Sequence, residues 1–335
     1  MTYAEVRENA KKKILNCRAC PVCNGLGCGN TIPGPGSKGP GNGANVNWQA
    51  WQDIRLNMDV FVADGDVDMG CDFFGRALSM PLLTGPIGSL TQYSKEDVTL
   101  AFNNDVIDAC ARTGIVDCFG DGVVPQTLPG GLASAAKYGA AAIPVINPLS
   151  MEAIEREMRI ANESEAVAVC LVVDSAGLSF WQSKGSGFST KTVDQMRALR
   201  NLTDKPLLIK GIMTAKNALQ ALEAGADGVI VSNHGGRVLP YSPPTAEVLP
   251  EIAEAVGGRM KIIVDGGIRS GADILKALAL GADAALICRP IAVAWFGGGA
   301  DGVEVYIEQL RGELREAMYM CGARSLKDIG PEMIR

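Results

Sequence analysis

The sequence predicts an α/β fold, a (β/α)8 TIM barrel with an N-terminal extension, and three observations predict it. From Leu78 onward a short apolar run, a turn and a helical stretch alternate to the end of the chain. Eight of these runs have the length and β-branched content of buried parallel strands: Ser79–Thr84, Val116–Phe119, Ala142–Ile146, Ala168–Val173, Pro206–Ile209, Gly228–Val231, Lys261–Val264 and Ala284–Ile287. Two units nearly repeat, ALEAGAD at 221–227 and ALALGAD at 277–283, each reading as a helix that ends in Gly-Ala-Asp and feeds the next strand. Eight such units favour a closed barrel over an open doubly wound sheet, and 335 residues suit one barrel of about 250 residues plus an extension. The expected division is an extension at 1–60 and a barrel at 61–335.

Composition narrows the function. With 47% hydrophobic and 20% charged residues and 40 glycines, the chain reads as a compact α/β protein. A net charge of -6 argues against nucleic-acid binding, which needs a basic face to neutralise phosphates. The opening MTYAEVRENAKKKIL is charged and lacks the apolar core of a secretory signal. No uncharged apolar stretch reaches the ~18 residues of a membrane span. A cytoplasmic location without membrane contact is therefore expected, and it suits ten cysteines, which in a reducing compartment remain thiols or metal ligands.

Residues 1–16 read as an amphipathic helix. Cys17, Cys20, Cys23 and Cys28 follow in a C-x2-C-x2-C-x4-C spacing, in which neighbouring thiolates can share one metal. An iron-sulfur cluster or zinc is weighed here evenly against unligated thiols, because no second ligand set supports the metal. Thr31–Asn45 is too rich in glycine and proline for a helix or a central strand. Its Gly34, Gly36 and Gly39 spell G-x-G-x-x-G, but without the strand and helix that a dinucleotide fingerprint requires. The stretch reads as a loop, either an inert linker or a cover over the barrel mouth. The last helix is expected at Val303–Cys321.

The chemistry gathers at the ends of the late strands. His234, the chain's single histidine, lies in GVIVSNHGGR at 228–237, just past a predicted strand. A lone histidine is more often a hydrogen-bonded structural group, but Gly235 and Gly236 permit close backbone approach and Arg237 adds a planar cation. The polar residues after four consecutive strands are Lys210, then Ser232, His234 and Arg237, then Asp265, Gly266, Gly267 and Arg269, then Arg289. In a barrel these share one mouth. Backbone N–H groups of DGGIR at a helix start, with two guanidiniums, point to a phosphate-bearing ligand.

Lys210, SNHGGR at 232–237, DGGIR at 265–269 and Arg289-Pro290 resemble the FMN-dependent 2-hydroxy-acid dehydrogenase and oxidase family, over roughly Leu78–Ile329. GARSLKDI at 322–329 is similar to that family's closing segment. The resemblance implies FMN in a (β/α)8 barrel, with Lys210 as a fixed cation beside the flavin ring. Asp265, Gly266, Gly267, Arg269 and Arg289 would hold the phosphate and ribityl chain, with Ser232 and Cys288 beside them. Pro86, Ile87 and Gly88 would meet the ring through backbone groups. His234 would be the base, Asp174 would orient it, and Arg237 would clamp a substrate carboxylate. The implied reaction is oxidation of a 2-hydroxy acid, with a small-molecule substrate, an unidentified electron acceptor and a homo-oligomer, commonly a tetramer in the family.

Departures from the family accompany the likeness. SAGLSFWQSKGSGF at 175–188 carries Phe180, Trp181 and Phe188 but no second carboxylate-binding arginine. It reads equally as a cover that excludes water or as an apolar pocket for a larger substrate. Pro144-Val145-Ile146-Asn147 stands where the family has Gln-x-Tyr, its N-terminal tyrosine has no evident counterpart, and Cys288 replaces the glycine before Arg289. Two other readings stay open: an isomerase or reductase similar to the FMN-dependent isopentenyl-diphosphate isomerases, and a cluster-bearing electron carrier built on the barrel.

Overall fold

The structure, a computed structural model, describes residues 1–32, 34–122, 124–178 and 187–335. Eight parallel strands close into a barrel: β3 (Leu82–Thr84), β4 (Val116–Gly120), β5 (Ala142–Ile146), β6 (Val169–Val172), β7 (Leu207–Ile212), β8 (Gly228–Val231), β9 (Lys261–Val264) and β10 (Ala284–Ile287). Closure comes from β10 pairing with both β9 and β3. Every expected run forms a barrel strand. The first is shorter than Ser79–Thr84, because Ser79 Oγ donates to Thr113 O at 2.7 Å and Pro81 lacks an N–H for the ladder.

Side-chain alternation divides the core in two. Leu83, Val116, Cys118, Ile143, Val145, Cys170, Leu208, Ile230, Ile263 and Leu286 fill the barrel interior, and their neighbours along each strand face the helices. Ahead of the barrel lies an antiparallel hairpin, β1 (Cys71–Phe73) and β2 (Arg76–Leu78), that the sequence reading missed. Phe74 and Gly75 turn it with φ of 51° and 79°, and Phe73 and Leu78 join the interior cluster. Lacking a long apolar alternation, this hairpin gave no strand signal of its own.

The N-terminal segment packs on the barrel. Its helix spans Tyr3–Lys11, shorter than the expected 1–16, and opens with a Thr2/Glu5 capping box. Val6 and Ala10 are fully buried, and Tyr3 stacks on Tyr306 with ring centroids 4.4 Å apart. Gly297 makes this docking possible, since a Cβ there would lie 2.0 Å from Val6 O. The last helix begins earlier than expected, at Arg289, and runs to Met320 with a break at Gly298 and Gly299. Among the described residues, no helix is long and apolar enough to cross a membrane.

The Gly/Pro-rich stretch is not an inert linker. Gly34, Pro35, Gly36 and Ser37 are buried, and the chain then enters a helix at Gly43–Asp53. No propensity scale marks a run of glycine and proline for burial; only its backbone hydrogen bonds to the barrel mouth, given below, account for it.

One buried acid links the fold to pH. Asp117 on β4 is 2% exposed and accepts a hydrogen bond from Thr84, and burial pushes its carboxyl up to about 7 from 3.8 despite that bond. The folded state therefore keeps a proton that the unfolded chain releases, so this group's contribution to stability declines between pH 4 and 7 by about 1.4 kcal/mol per pH unit. Asp117→Asn is expected to flatten that slope and to raise the urea midpoint at pH 8 more than at pH 4. Equal midpoint shifts at both pH values would show that Asp117 ionises normally.

Candidate active site

Lys210 is the buried centre of the mouth. Only 3% exposed, its Nζ donates to Ser232 Oγ at 2.6 Å and pairs with Asp265 Oδ2 at 2.8 Å. Burial alone would lower its pKa, but the charges of Asp265 and Asp174 outweigh burial and hold it above its ordinary value. Ser232 Oγ also accepts from His234 N at 3.1 Å, so β7, β8 and β9 are tied through one ammonium.

His234 and Asp174 come from different strands. Asp174 opens a 3-10 turn, Asp174–Gly177, after β6, and His234 opens another, His234–Gly236, after β8. His234 Nδ1 lies 3.0 Å from Asp174 Oδ1. Burial works to raise the Asp174 pKa, yet the His234 charge, the hydrogen bond and Lys210 bring it below the ordinary value. His234 itself has φ 56°, followed by Gly235 at 64° and Gly236 at 79°. Three consecutive left-handed residues, one of them not glycine, mark backbone held against its preference to aim a side chain.

The glycines serve close packing against protein. A Cβ on Gly236 would fall 2.7 Å from Gly43, and one on Gly235 would meet Arg289 Nη2 at 2.7 Å. Gly266 and Gly267 similarly abut Asn47, with a Cβ on Gly267 only 2.4 Å from Asn47 O. The helix Gly43–Asp53 is thus seated on the mouth. Its Asn47 exchanges amide hydrogen bonds with Asn233 at 2.8 and 3.0 Å, and Trp51 Nε1 donates to Gly266 O at 2.7 Å.

The arginines also meet the extension. Arg237 Nη1 donates to Gly34 O and, at 2.8 Å, to Gly36 O. Arg289 Nη1 reaches Pro35 O at 3.4 Å, and Arg269 Nε donates to Cys23 O at 2.7 Å. A cavity of about 390 Å³ opens here, bordered by Arg269, Arg289, Ser270, Tyr93 and all four N-terminal cysteines. Cys288, expected beside the cofactor, packs its Sγ toward Gly85, and burial pushes its thiol up to about 12. Pro86, Ile87 and Gly88 follow β3 at the same mouth, with Gly88 against Gly120 at the end of β4.

Among the described residues no group of three or more His, Cys, Asp or Glu is placed to hold a metal ion, so the arrangement of Cys17, Cys20, Cys23 and Cys28 lends the zinc or iron-sulfur expectation no support. They are free, half-buried thiols, and burial raises Cys17 to about 11. Backbone contacts hold the segment: Thr31 Oγ1 to Cys28 O at 2.8 Å, Asn45 Nδ2 to Asn24 O at 2.9 Å, and the Arg269 bond to Cys23 O.

Comparison with known proteins decides the family. The sequence model described as FMN-dependent dehydrogenase matches residues 35–184 and 180–335. The chain belongs to this family. It is 46% identical to a peroxisomal (S)-2-hydroxyacid oxidase of Arabidopsis thaliana over 162 residues, which cover 46% of this chain and 45% of that protein. It is 47% identical to a 4-hydroxymandelate oxidase of Amycolatopsis orientalis over 139 residues, covering 42% of this chain and 39% of that protein. The matched stretch thus spans less than half the length of these curated relatives. A crystal structure of mandelate oxidase with 3,3-difluoro-2-hydroxy-3-phenylpropionic acid superposes with a TM-score of 0.83 at 27% identity, covering 100% of this chain and 98% of that one.

Several residues to which the sequence alone gives no role pack against or brace the turn that carries Asp174. Gly211, at the register shift in β7 with φ 105°, lets Asp174 lie against the strand, for a Cβ there would stand 2.6 Å from the Asp174 side chain. Asp121, at the end of β4, accepts from Asn147 N at 2.8 Å and Nδ2 at 2.6 Å, and Asn147 Oδ1 accepts from Ser175 Oγ at 3.0 Å. Asn147 therefore braces the turn that carries Asp174. Phe180 and Trp181 lie outside the described residues, so the aromatic stretch is placed only at Phe188.

Gly211→Ala should cost about 1–3 kcal/mol, because the new side chain requires left-handed backbone and displaces Asp174. Urea denaturation measures that cost, and a variant as stable as the parent would show that β7 relaxes without strain.

Proposed function

We propose that the chain oxidises a 2-hydroxy acid to the 2-oxo acid with FMN as its cofactor. The observation that carries this reading is the 3.0 Å bond between His234 Nδ1 and Asp174 Oδ1, at the same mouth as Lys210 and Arg237. FMN, when bound, supplies the acceptor for a hydride equivalent.

The residues present fit such a cofactor. Asp265 Oδ1 is buried without a hydrogen-bond partner and can accept from a hydroxyl of the bound group. Arg269 and Arg289 border the 390 Å³ cavity and suit a phosphate. Lys210 offers a fixed, desolvated cation toward negative charge on a reduced ring.

The ionised Asp174 accepts from Nδ1–H, which fixes the imidazole tautomer and leaves Nε2 to take the substrate's hydroxyl proton. Asp174 then faces the imidazolium and stabilises it. Arg237 has its Nη1 bound by the Gly34 and Gly36 carbonyls, leaving the Nε–Nη2 edge to receive the substrate carboxylate.

His234→Ala should retain FMN but lose at least about 10²–10⁴-fold in the rate at which an anaerobic panel of 2-hydroxy acids bleaches the flavin. Bleaching at the parental rate would remove His234 from the role of base. A preparation that neither contains nor takes up FMN would overturn the cofactor assignment.

A further inference from the structure

Lys38 lies in the strap that follows the cysteines, and it touches both loops that carry the His234–Asp174 pair. Its Nζ donates to Gly177 O at 3.1 Å and to Val238 O at 3.2 Å, while its backbone N donates to Gly236 O at 2.8 Å. Gly177 closes the turn that begins at Asp174, and Val238 follows Arg237 in the loop that begins with His234. The two loops abut there, since a Cβ on Gly177 would stand 3.4 Å from Val238 O. Two carbonyl dipoles converging on one point repel unless a donor lies between them, and an ammonium with three N–H groups satisfies both.

The strap is itself fixed. Ser37 is fully buried and its N donates to Gly29 O at 2.9 Å, while Gly34 and Gly36 are held by Arg237. Lys38 is therefore a cross-link from a rigid anchor, not a surface lysine in passing contact.

We propose that Lys38 is a positioning residue for the His234–Asp174 pair: its ammonium laces the Asp174–Gly177 turn to the His234 loop and so sets the hydrogen bond between imidazole and carboxylate. The proposal rests on the reading of His234 as the base. It assigns to the N-terminal extension a share in the catalytic geometry, through the loops and without contact to the reacting atoms. Groups that orient the ligands of a metal centre change activity by about 10–100-fold when removed, and an effect of that order is expected of a residue that orients a base.

Because the chain has one histidine, a histidine labelled with ¹⁵N gives a single imidazole, whose Nδ1–H signal reads the bond to Asp174 directly. In FMN-loaded Lys38→Met that signal should broaden into solvent exchange. Its kcat should drop about 10–100-fold with KM changed less than about threefold, and FMN content should stay parental. Lys38→Arg, which keeps charge and donors, should restore the signal and most of kcat. A sharp parental signal in Lys38→Met, or loss of FMN together with kcat, would overturn the proposal, the latter by placing Lys38 in cofactor retention. If Lys38→Met does not fold, Lys38→Gln, which keeps one donor group without charge, takes its place with the same two readouts. Loss of the signal with parental turnover would support the positioning and overturn His234 as base, so the two readings fail separately.

Discussion

A charged lysine sits almost without solvent at the centre of the barrel mouth, and the site is arranged around that constraint. Desolvating an ammonium is costly unless acceptors surround it, and Lys210 finds them in Asp265 and Ser232, each from a different strand end. The consequence is geometric as well as electrostatic. Ser232 spends its oxygen on both Lys210 and the backbone of His234, so the position of the imidazole follows from the position of the lysine. Asp174 senses the same charge, which helps to keep its carboxylate ionised despite burial. Cation, base and orienting carboxylate thus form one electrostatic unit.

The second constraint comes from the first fifty residues. Helix Gly43–Asp53, the strap at 34–38 and the cysteine segment each bond to a loop of the mouth: Asn47 to Asn233, Gly34 and Gly36 to Arg237, Cys23 to Arg269. These contacts explain why SNHGGR and DGGIR are so rich in glycine. At Gly236 and Gly267 it is the chain's own backbone that approaches too closely for a side chain. An extension that reads as separate from the barrel is therefore part of its active face. The backbone strain at His234 is stable only because both sides of the loop are held in this way.

The chain belongs to the FMN-dependent dehydrogenase family and is similar over part of its length to 2-hydroxyacid and 4-hydroxymandelate oxidases. The chain brings together the Lys, His, Asp and Arg on which the proposed chemistry depends. At the neighbouring strand ends Asp121, Asn147 and Ser175 form a neutral and acidic network. That network meets the Asp174 turn at Ser175, and Lys38 meets it at Gly177.

The sequence by itself determined the barrel, because eight short apolar runs separated by helical repeats can bury both faces of a parallel sheet in few other ways. It also determined which residues share the mouth, since polar residues near the C-terminal end of each strand fall on the same rim, and Asp174, His234, Asp265 and Arg289 do so just past their strands while Lys210 does so from within β7, which runs on to Ile212. Only the tertiary structure decided the partners. Backbone carbonyls carry no sequence signature, so nothing in a Gly/Pro-rich run foretold that Gly34 and Gly36 would accept from Arg237, or that Lys38 would join two loops more than fifty residues apart. The cysteine spacing was silent for the same reason: it describes which thiols could converge, whereas the bond from Arg269 to Cys23 O is a backbone contact that the spacing does not report. Periodicity reports on burial, which is local and repeated; the hydrogen bonds that shape this site are long-range and single, and only the folded chain brings them into being.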